Sequence, residues 1–358
     1  MTALPLADPP DHRPSRPLRI GVVGYGVGGR LFHTPYIAAV PGLTLVGVVT
    51  ANPDRQTEVR SDWPGVPTFD DLAALLAHGV DLVTITTPPH TRRALVLQAL
   101  AAGVHVIADK PFAPSAAVAH EMAAAARQAG RLLGVFHNRR WDSDARTVQA
   151  VLASGRLGEI WRVESRFELD QPETLEAGPD GGLLRDLGTH LVDQMMWLLG
   201  PVHSVHAELD HVDRPAGRTD AGFSIHLQHR SGVRSHVSAG KLNRHVEKSW
   251  RVYGSGGSYI ASGTDVQTQA LLSGRRPADE GPRWGHEDAR LWGTLNTADG
   301  RETVPSARGA YQDYYAAFAA AVRGEGPLPV TAEEGAALLA VLDAARVSAR
   351  EGRVVTLG

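Results

Sequence analysis

Residues 186–193 read Asp-Leu-Gly-Thr-His-Leu-Val-Asp. They sit in a stretch whose apolar positions, Leu183, Leu184, Leu187, Leu191, Met195, Leu198 and Leu199, predict one helix. On that helix Asp186 and His190 stand one turn apart on a shared face. A carboxylate beside an imidazole holds one tautomer and stabilises the charged ring, which suits a proton shuttle near neutral pH. Far upstream, Gly24-Tyr25-Gly26-Val27-Gly28-Gly29 has the spacing of a dinucleotide loop, and Asp109-Lys110-Pro111 lies between the two. The three together point to hydride chemistry on a nicotinamide cofactor, with the protein handling the proton.

The glycines follow a short apolar run, Arg19 to Val23, and open a helix-length segment, which is the context their spacing requires. Gly24 permits the tight turn, Gly26 a close approach of backbone to pyrophosphate, and Gly29 close packing of helix on strand. Tyr25, Val27, Gly28 and Arg30 complete the expected cofactor loop. The second strand ends at Val49-Thr50, about 20 residues on, where an NAD enzyme commonly sets an acid against the ribose. Threonine there, with Asn52 and Arg55 just beyond, does not repel a 2′-phosphate and favours NADP over NAD; Asp54 argues the other way. Thr86, Thr87 and Pro88 end another strand and would line the nicotinamide ribose.

Lys110 follows the strand His105 to Ala108 at its carboxyl end, where ligands bind in open α/β sheets. Its ammonium can polarise a substrate oxygen or stabilise an alkoxide, with Pro111 fixing the backbone behind it. Plainer readings exist: a loop lysine paired with Asp109, and an Asp186–His190 ion pair at a helix end. Asp193 adds a third polar group beyond His190, but no second cluster completes a metal shell, and no metal is expected. His203, His206, His211, His226, His229 and His236 read as exposed strand residues.

These groups need a scaffold. Strands are expected at Arg19–Val23, Leu43–Val49, Asp81–Thr86, His105–Ala108 and Leu132–Phe136. Helices are expected at Gly28–Ala39, Asp70–Ala77, Thr91–Ala101 and Ser115–Ala129. That alternation gives a parallel sheet covered on both faces. After Trp141 and a helix near Ser143–Leu152 the rhythm becomes period two. Arg162, Glu164, Arg166 and Glu168 alternate with apolar neighbours, as do residues 223–228 and 233–239, which gives a mainly antiparallel sheet with one wet face. Ser273–Gly285 reads as a surface loop, Tyr311–Val322 as a helix, and Thr331-Ala-Glu-Glu334 as a capping box opening the next. The fold class is α/β: an N-terminal Rossmann sheet, then an α+β domain with a large, mainly antiparallel open sheet. Expected boundaries are a disordered tail at 1–17, a dinucleotide domain at 18–138, and a substrate and oligomerisation domain at 139–358 whose last helix can pack back on the first domain.

With 358 residues the chain can hold two such domains. Its 36 basic and 39 acidic residues leave a net charge of −3, with no field to gather nucleic acid or a membrane surface. There is no cysteine, hence no thiol nucleophile and no cysteine-ligated zinc, which fits a reducing compartment. Met1 to Pro17 lacks the apolar core of a signal peptide, and no apolar run is long enough to span a membrane. A soluble, cytoplasmic protein is the expectation.

Glycine loop, Asp-Lys-Pro and aspartate–histidine helix, in this order, resemble the Gfo/Idh/MocA oxidoreductases, the family of glucose-fructose oxidoreductase and inositol dehydrogenase. The likeness spans Leu18 to Gly358. The family's Glu-Lys-Pro stands here as Asp109-Lys110-Pro111, its Gly-Gly-x-Leu-x-Asp-x-Gly-x-His as Gly181 to His190, and its Gly-Arg as Gly29-Arg30. Asp109 is one methylene shorter than the usual glutamate, and Arg92 replaces a histidine common among relatives. The resemblance implies Lys110, Asp186 and His190 as the catalytic set. Asn138-Arg139-Arg140-Trp141-Asp142 is further similar to the branch of NADP-dependent scyllo-inositol dehydrogenases, which implies that Asn138, Arg139 and Trp141 line the substrate pocket with those three.

The expected reaction is therefore hydride transfer between nicotinamide and a secondary alcohol or ketone of a sugar, inositol or similar polyol. The alternatives are a redox-neutral lyase, epimerase or glycosidase that regenerates its cofactor, and a non-catalytic cofactor-binding sensor. The wet sheet face, with Arg162, Glu164, Arg166, His226, Arg234 and His236, is the expected seam of a homodimer or homotetramer.

Overall fold

The structure is a computed structural model that describes residues 16–176, 178, 181–263 and 265–358. The tail expected over 1–17 lies outside them except for Arg16 and Pro17, and Arg16 reaches Asp81 at 2.7 Å. The first sheet holds β1 (Leu18–Val23), β2 (Leu43–Val49), β3 (Thr68–Phe69), β4 (Leu82–Ile85), β5 (His105–Asp109) and β6 (Leu133–Phe136), in the order β3-β2-β1-β4-β5-β6. Every pair is parallel. Helices α1 (Thr34–Ala38), α2 (Pro53–Asp62), α3 (Leu72–His78), α4 (Pro89–Ala101) and α5 (Ala116–Ala129) connect them. β4 and β6 are buried end to end, as apolar runs covered on both faces must be. Strand order reverses between β1 and β4, so the turns after these two strands, at Gly24 and Thr86, flank the crevice where such sheets take ligands.

Two elements of this half were not foreseen. α2 buries only Val59, so it carries no apolar stripe; its signals are the Asn52 cap and Pro53 in the first turn. β3 is too short to show any period. The segment Gly28–His33 also winds as a π-turn ahead of α1 rather than as plain α-helix.

After α6 (Ser143–Ala153) comes the second sheet: β7 (Ile160–Asp170), β8 (Val202–Arg214), β9 (Gly217–His229), β10 (Arg234–Gly240), β11 (Leu242–Gly254), β12 (Gly257–Ala261), β13 (Gly293–Thr297), β14 (Gly300–Val304) and β15 (Val355–Thr356). Their order is β14-β13-β12-β11-β7-β10-β9-β8-β15. All pairs are antiparallel except β7 with β10. Helices α7 (Thr189–Leu199) and α11 (Ala332–Glu351) pack against it, and α8 (Val266–Leu272), α9 (Pro277–Glu280) and α10 (Gln312–Val322) complete the chain. α9 falls in Ser273–Gly285, which the sequence presents as a loop. The capping box of Thr331 and Glu334 is formed at the start of α11.

His226 and His236 stack across β9 and β10 at 4.3 Å. His229 departs from the expectation of an exposed strand histidine. It is buried, with Nδ1 against the Gly200 carbonyl and Nε2 against Ser235. Among the described residues no helix is long and apolar enough to cross a membrane.

Candidate active site

The glycine loop divides its work as the spacing predicts. Gly24 has φ +99°, a conformation side chains avoid. A Cβ on Gly29 would lie 2.2 Å from the Gly24 carbonyl oxygen, so helix and strand meet there without room for a methyl group. A Cβ on Gly26 would meet only the Arg55 guanidinium, at 3.8 Å, leaving the middle of the loop open. Gly28 faces the Asp109 carboxylate, and Val27 is exposed at the loop's tip. Thr86 closes the floor, its hydroxyl donating to the Gly24 carbonyl at 3.0 Å.

Tyr25 and Arg30 turn their side chains elsewhere: both bond Asp62 at the end of α2, and Arg30 also pairs with Glu58. At the other end of α2, the Asn52 oxygen caps the helix by accepting from Asp54 and Arg55 N–H. Thr50 is buried just before it, and Arg55 has no ion pair among the described residues.

The Lys110–Pro111 peptide is cis. Arg92 grips this turn from α4, donating to the carbonyls of Asp109, Lys110 and Pro111 and to that of Thr87. Arginine at this position therefore joins the turn after β4 to the turn after β5. Thr87 itself accepts from the Thr91 hydroxyl, and Pro88 precedes α4. Asp109 accepts from the Lys110 N–H, while His33 Nε2 lies 3.3 Å from its other oxygen and His33 Nδ1 bonds the Tyr315 hydroxyl. Burial would raise the Asp109 carboxyl, but the His33, Arg92 and Lys110 charges outweigh it and hold it below the usual range.

The expected pairing of Asp186 with His190 is not formed. Asp186 lies on a π-turn, Leu184–Gly188, whose wider winding spoils the one-turn register that the pairing required. Its Oδ1 accepts from Lys110 Nζ at 2.7 Å and its Oδ2 from Lys241 Nζ at 2.7 Å. Burial opposes the charged carboxylate, yet the two ammonium groups hold its pKa far below normal.

His190 is buried on α7 with Nδ1 unpartnered. Burial, then the charges of Lys110 and Arg139, pushes its pKa well below that of an ordinary histidine, so the ring is neutral. His137, at the end of β6, is buried with both ring nitrogens unpartnered, and burial lowers its pKa too. A site with two neutral imidazoles and an ammonium can accept one proton and stabilise one oxyanion.

Behind them lies a block of buried ion pairs. Arg139 donates to Asp142 and Asp265 and covers the Phe167 ring. Lys248 bridges Asp142 and Asp144. Arg140 binds Asp193 through two nitrogens and Glu334 through the third. The Arg139 guanidinium is thus committed to protein carboxylates, and the Asp193 carboxylate to Arg140. Asn138 is buried with no side-chain hydrogen bond among the described residues, and Trp141 is half-buried.

Of the foreseen residues, Lys110, Asp186 and His190 come together, while Tyr25, Arg30 and Arg139 direct their side chains away. Lys241, His137 and His33 were not foreseen. Lys241 is a lone lysine 55 residues from Asp186, and a single histidine ending a strand carries no pattern.

A parallel sheet with a glycine loop at its switch point, beside a lysine–carboxylate–imidazole cluster, defines a dinucleotide-binding oxidoreductase. Residues 18–137 match the oxidoreductase family's NAD-binding Rossmann fold and residues 149–357 its C-terminal alpha/beta domain. The chain belongs to the Gfo/Idh/MocA oxidoreductase family. It is 35% identical to the uncharacterized oxidoreductase YdgJ of Escherichia coli over 95% of this chain and 99% of that one. It is 30% identical to the scyllo-inositol 2-dehydrogenase (NADP(+)) IolW of Bacillus subtilis over 95% and 96%. The solved structure of yvaA from Bacillus subtilis superposes with a TM-score of 0.89 at 29% identity, covering 97% of this chain and all of the other.

Proposed function

We propose that the protein interconverts a secondary alcohol and a ketone on a sugar, inositol or similar polyol, with NADP preferred to NAD. The observation that carries this reading is the meeting of an ammonium and a neutral buried imidazole, Lys110 and His190, beside an open glycine loop. Likeness to a scyllo-inositol dehydrogenase supports the substrate class. The loop fits a dinucleotide, since Gly26 leaves free the space a pyrophosphate would take.

In this reading Gly24 to Arg30 hold the cofactor mainly by backbone, with Thr86, Thr87 and Pro88 at the nicotinamide ribose and Asp109 steadying the turn below. Thr50, Asn52 and Arg55 face the adenosine ribose, where the Arg55 guanidinium, without an ion pair among the described residues, favours a 2′-phosphate. The bound nicotinamide supplies the hydride acceptor or donor. During oxidation the alcohol's O–H proton passes to neutral His190, and the Lys110 ammonium stabilises the oxygen as its carbon loses hydride. Reduction runs the same transfers backwards. Asp186 orients Lys110, and Asn138, Trp141 and His137 line the pocket, with Arg139 as part of its buttress. The division at 138/139 then separates cofactor from substrate binding, and the charged face of the second sheet seats a second copy of the chain.

The test follows reduced-nicotinamide absorbance with NADP or NAD against a panel of inositols, aldoses and their keto forms. A signal with NADP and a polyol is expected. Tight cofactor binding with no turnover on any member would refute the dehydrogenase reading in favour of a redox-neutral enzyme or a sensor.

A further inference from the structure

Asp186 carries two cations, and the proposed chemistry uses one. Lys110 occupies Oδ1; Lys241, from the junction of β10 and β11, occupies Oδ2. Lys241 is buried, and its ammonium also donates to the Thr174 carbonyl at 3.1 Å. Its backbone is pinned as well, the N–H donating to Ala221 and the carbonyl accepting from Gln171. A long side chain fixed at both ends sets the direction of the group it holds.

We propose that Lys241 is the positioning residue of this site: it draws Asp186 off His190 and against Lys110, so that the carboxylate orients the ammonium and leaves the imidazole free. The proposal rests on the reading of Lys110 and His190 given above. Among the described residues the charged groups that act most on Asp186 are Lys110 and Lys241, and its neighbour Arg185 donates to the Pro114 carbonyl. Two ammonium groups on one carboxylate leave the cluster with one net positive charge. That excess stabilises negative charge on the substrate oxygen, which a neutral lysine–carboxylate pair would offset. Lys241 touches neither substrate nor cofactor in this arrangement; it acts through Asp186.

The experiment titrates the Asp186 carboxyl by carbon-13 NMR in the NADP-bound enzyme and records kcat, KM and the pH profile for wild type, Lys241→Met and Lys241→Arg. Removing one neighbouring cation is expected to raise the Asp186 pKa by about one unit or more. In Lys241→Met kcat should fall at least about tenfold while cofactor KM holds, with arginine restoring most of the loss. An unmoved Asp186 titration in folded Lys241→Met overturns the proposal. Should that variant not fold, Lys241→Gln is titrated in its place under the same criterion. If wild type turns over no polyol, the proposed function fails while the titration still decides the role of Lys241.

Discussion

Gly26 and Gly29 stand three residues apart in one loop, and the structure gives them opposite tolerances. Neither has a left-handed φ, so alanine meets no backbone penalty at either position. At Gly29 the added methyl would sit 2.2 Å from the Gly24 carbonyl oxygen and 3.1 Å from its carbon. Both atoms are backbone, and the conflict can be relieved only by moving β1 away from the following turn. Overpacking of this kind costs about 1–3 kcal/mol. At about 2–4 °C per kcal/mol, Gly29→Ala should lower Tm by about 2–12 °C.

At Gly26 the nearest atom is the tip of Arg55 at 3.8 Å. Gly26→Ala should therefore keep or raise Tm, since loss of unfolded-state freedom is worth about 0.4–1 kcal/mol. Its methyl would instead lift a bound pyrophosphate from the loop. Losing one hydrogen bond to a charged group costs about 1.5–3 kcal/mol, about a ten- to hundredfold weaker Kd for NADP. Thermal melts with and without NADP, and titration of NADPH fluorescence, separate the two effects. A Gly26→Ala protein that binds NADP as wild type does, or a Gly29→Ala protein with an unchanged melt, would refute the assignment of the loop.

His190→Ala should leave NADP affinity intact while turnover drops at least about 10²-fold, the usual worth of a placed acid or base; near-normal steady-state rates would remove His190 from proton transfer. Arg140→Met leaves Asp193 buried without its partner and should cost about 3–5 kcal/mol in urea unfolding, against a negligible change for the exposed Arg93→Met. Burial holds His190 and His137 below the ordinary histidine pKa, so the folded rings stay neutral while an unfolded chain takes up protons below about pH 6.5. Their contribution is complete above that pH and is lost as pH falls toward the depressed folded values. The urea midpoint should accordingly drop between about pH 7.5 and about pH 5.5 by more in wild type than in His190→Phe; equal drops would contradict neutral burial.

Much of this was legible in the chain. β1, β2 and β4 to β6 announce themselves because strands covered on both faces must be apolar throughout, and Gly24, Gly26 and Gly29 then fix the ligand-binding end of the sheet. α2 escaped because a helix with one buried side chain leaves no periodic trace beyond its cap. In the site, residue types told which groups would do chemistry but not whom they would touch. Asp186 and His190 look paired only on an ideal helix, and the π-turn removes that geometry. Lys241 had no signal at all, since a lone lysine between two strands becomes meaningful only when the second sheet brings it beneath Asp186. Arg139 looked like a pocket residue, but its guanidinium joins an ion-pair network whose acids, Asp142 and Asp265, are separated in sequence by β7 to β12.

α11 is the last helix of the chain, yet it finishes the first sheet's packing. Just before it, the Val330 carbonyl accepts from the Val135 N–H and Thr331 bridges to Gly134 on β6. Gly335 lies so close to Val135 and Phe112 that a Cβ would stand 2.7 Å and 3.0 Å from them, and Glu333 pairs with Arg127 of α5. Further along, Ser348 accepts from the Ala207 N–H on β8. Gene order and autonomous modules therefore do not coincide. A fragment cut after residue 138 would keep a bare flank on α5 and β6, which in the full chain is covered only when the final helix docks. Any recombination that exchanges the cofactor half with a relative must carry residues 330–351 along with it, or the chimera inherits two mismatched halves of one interface.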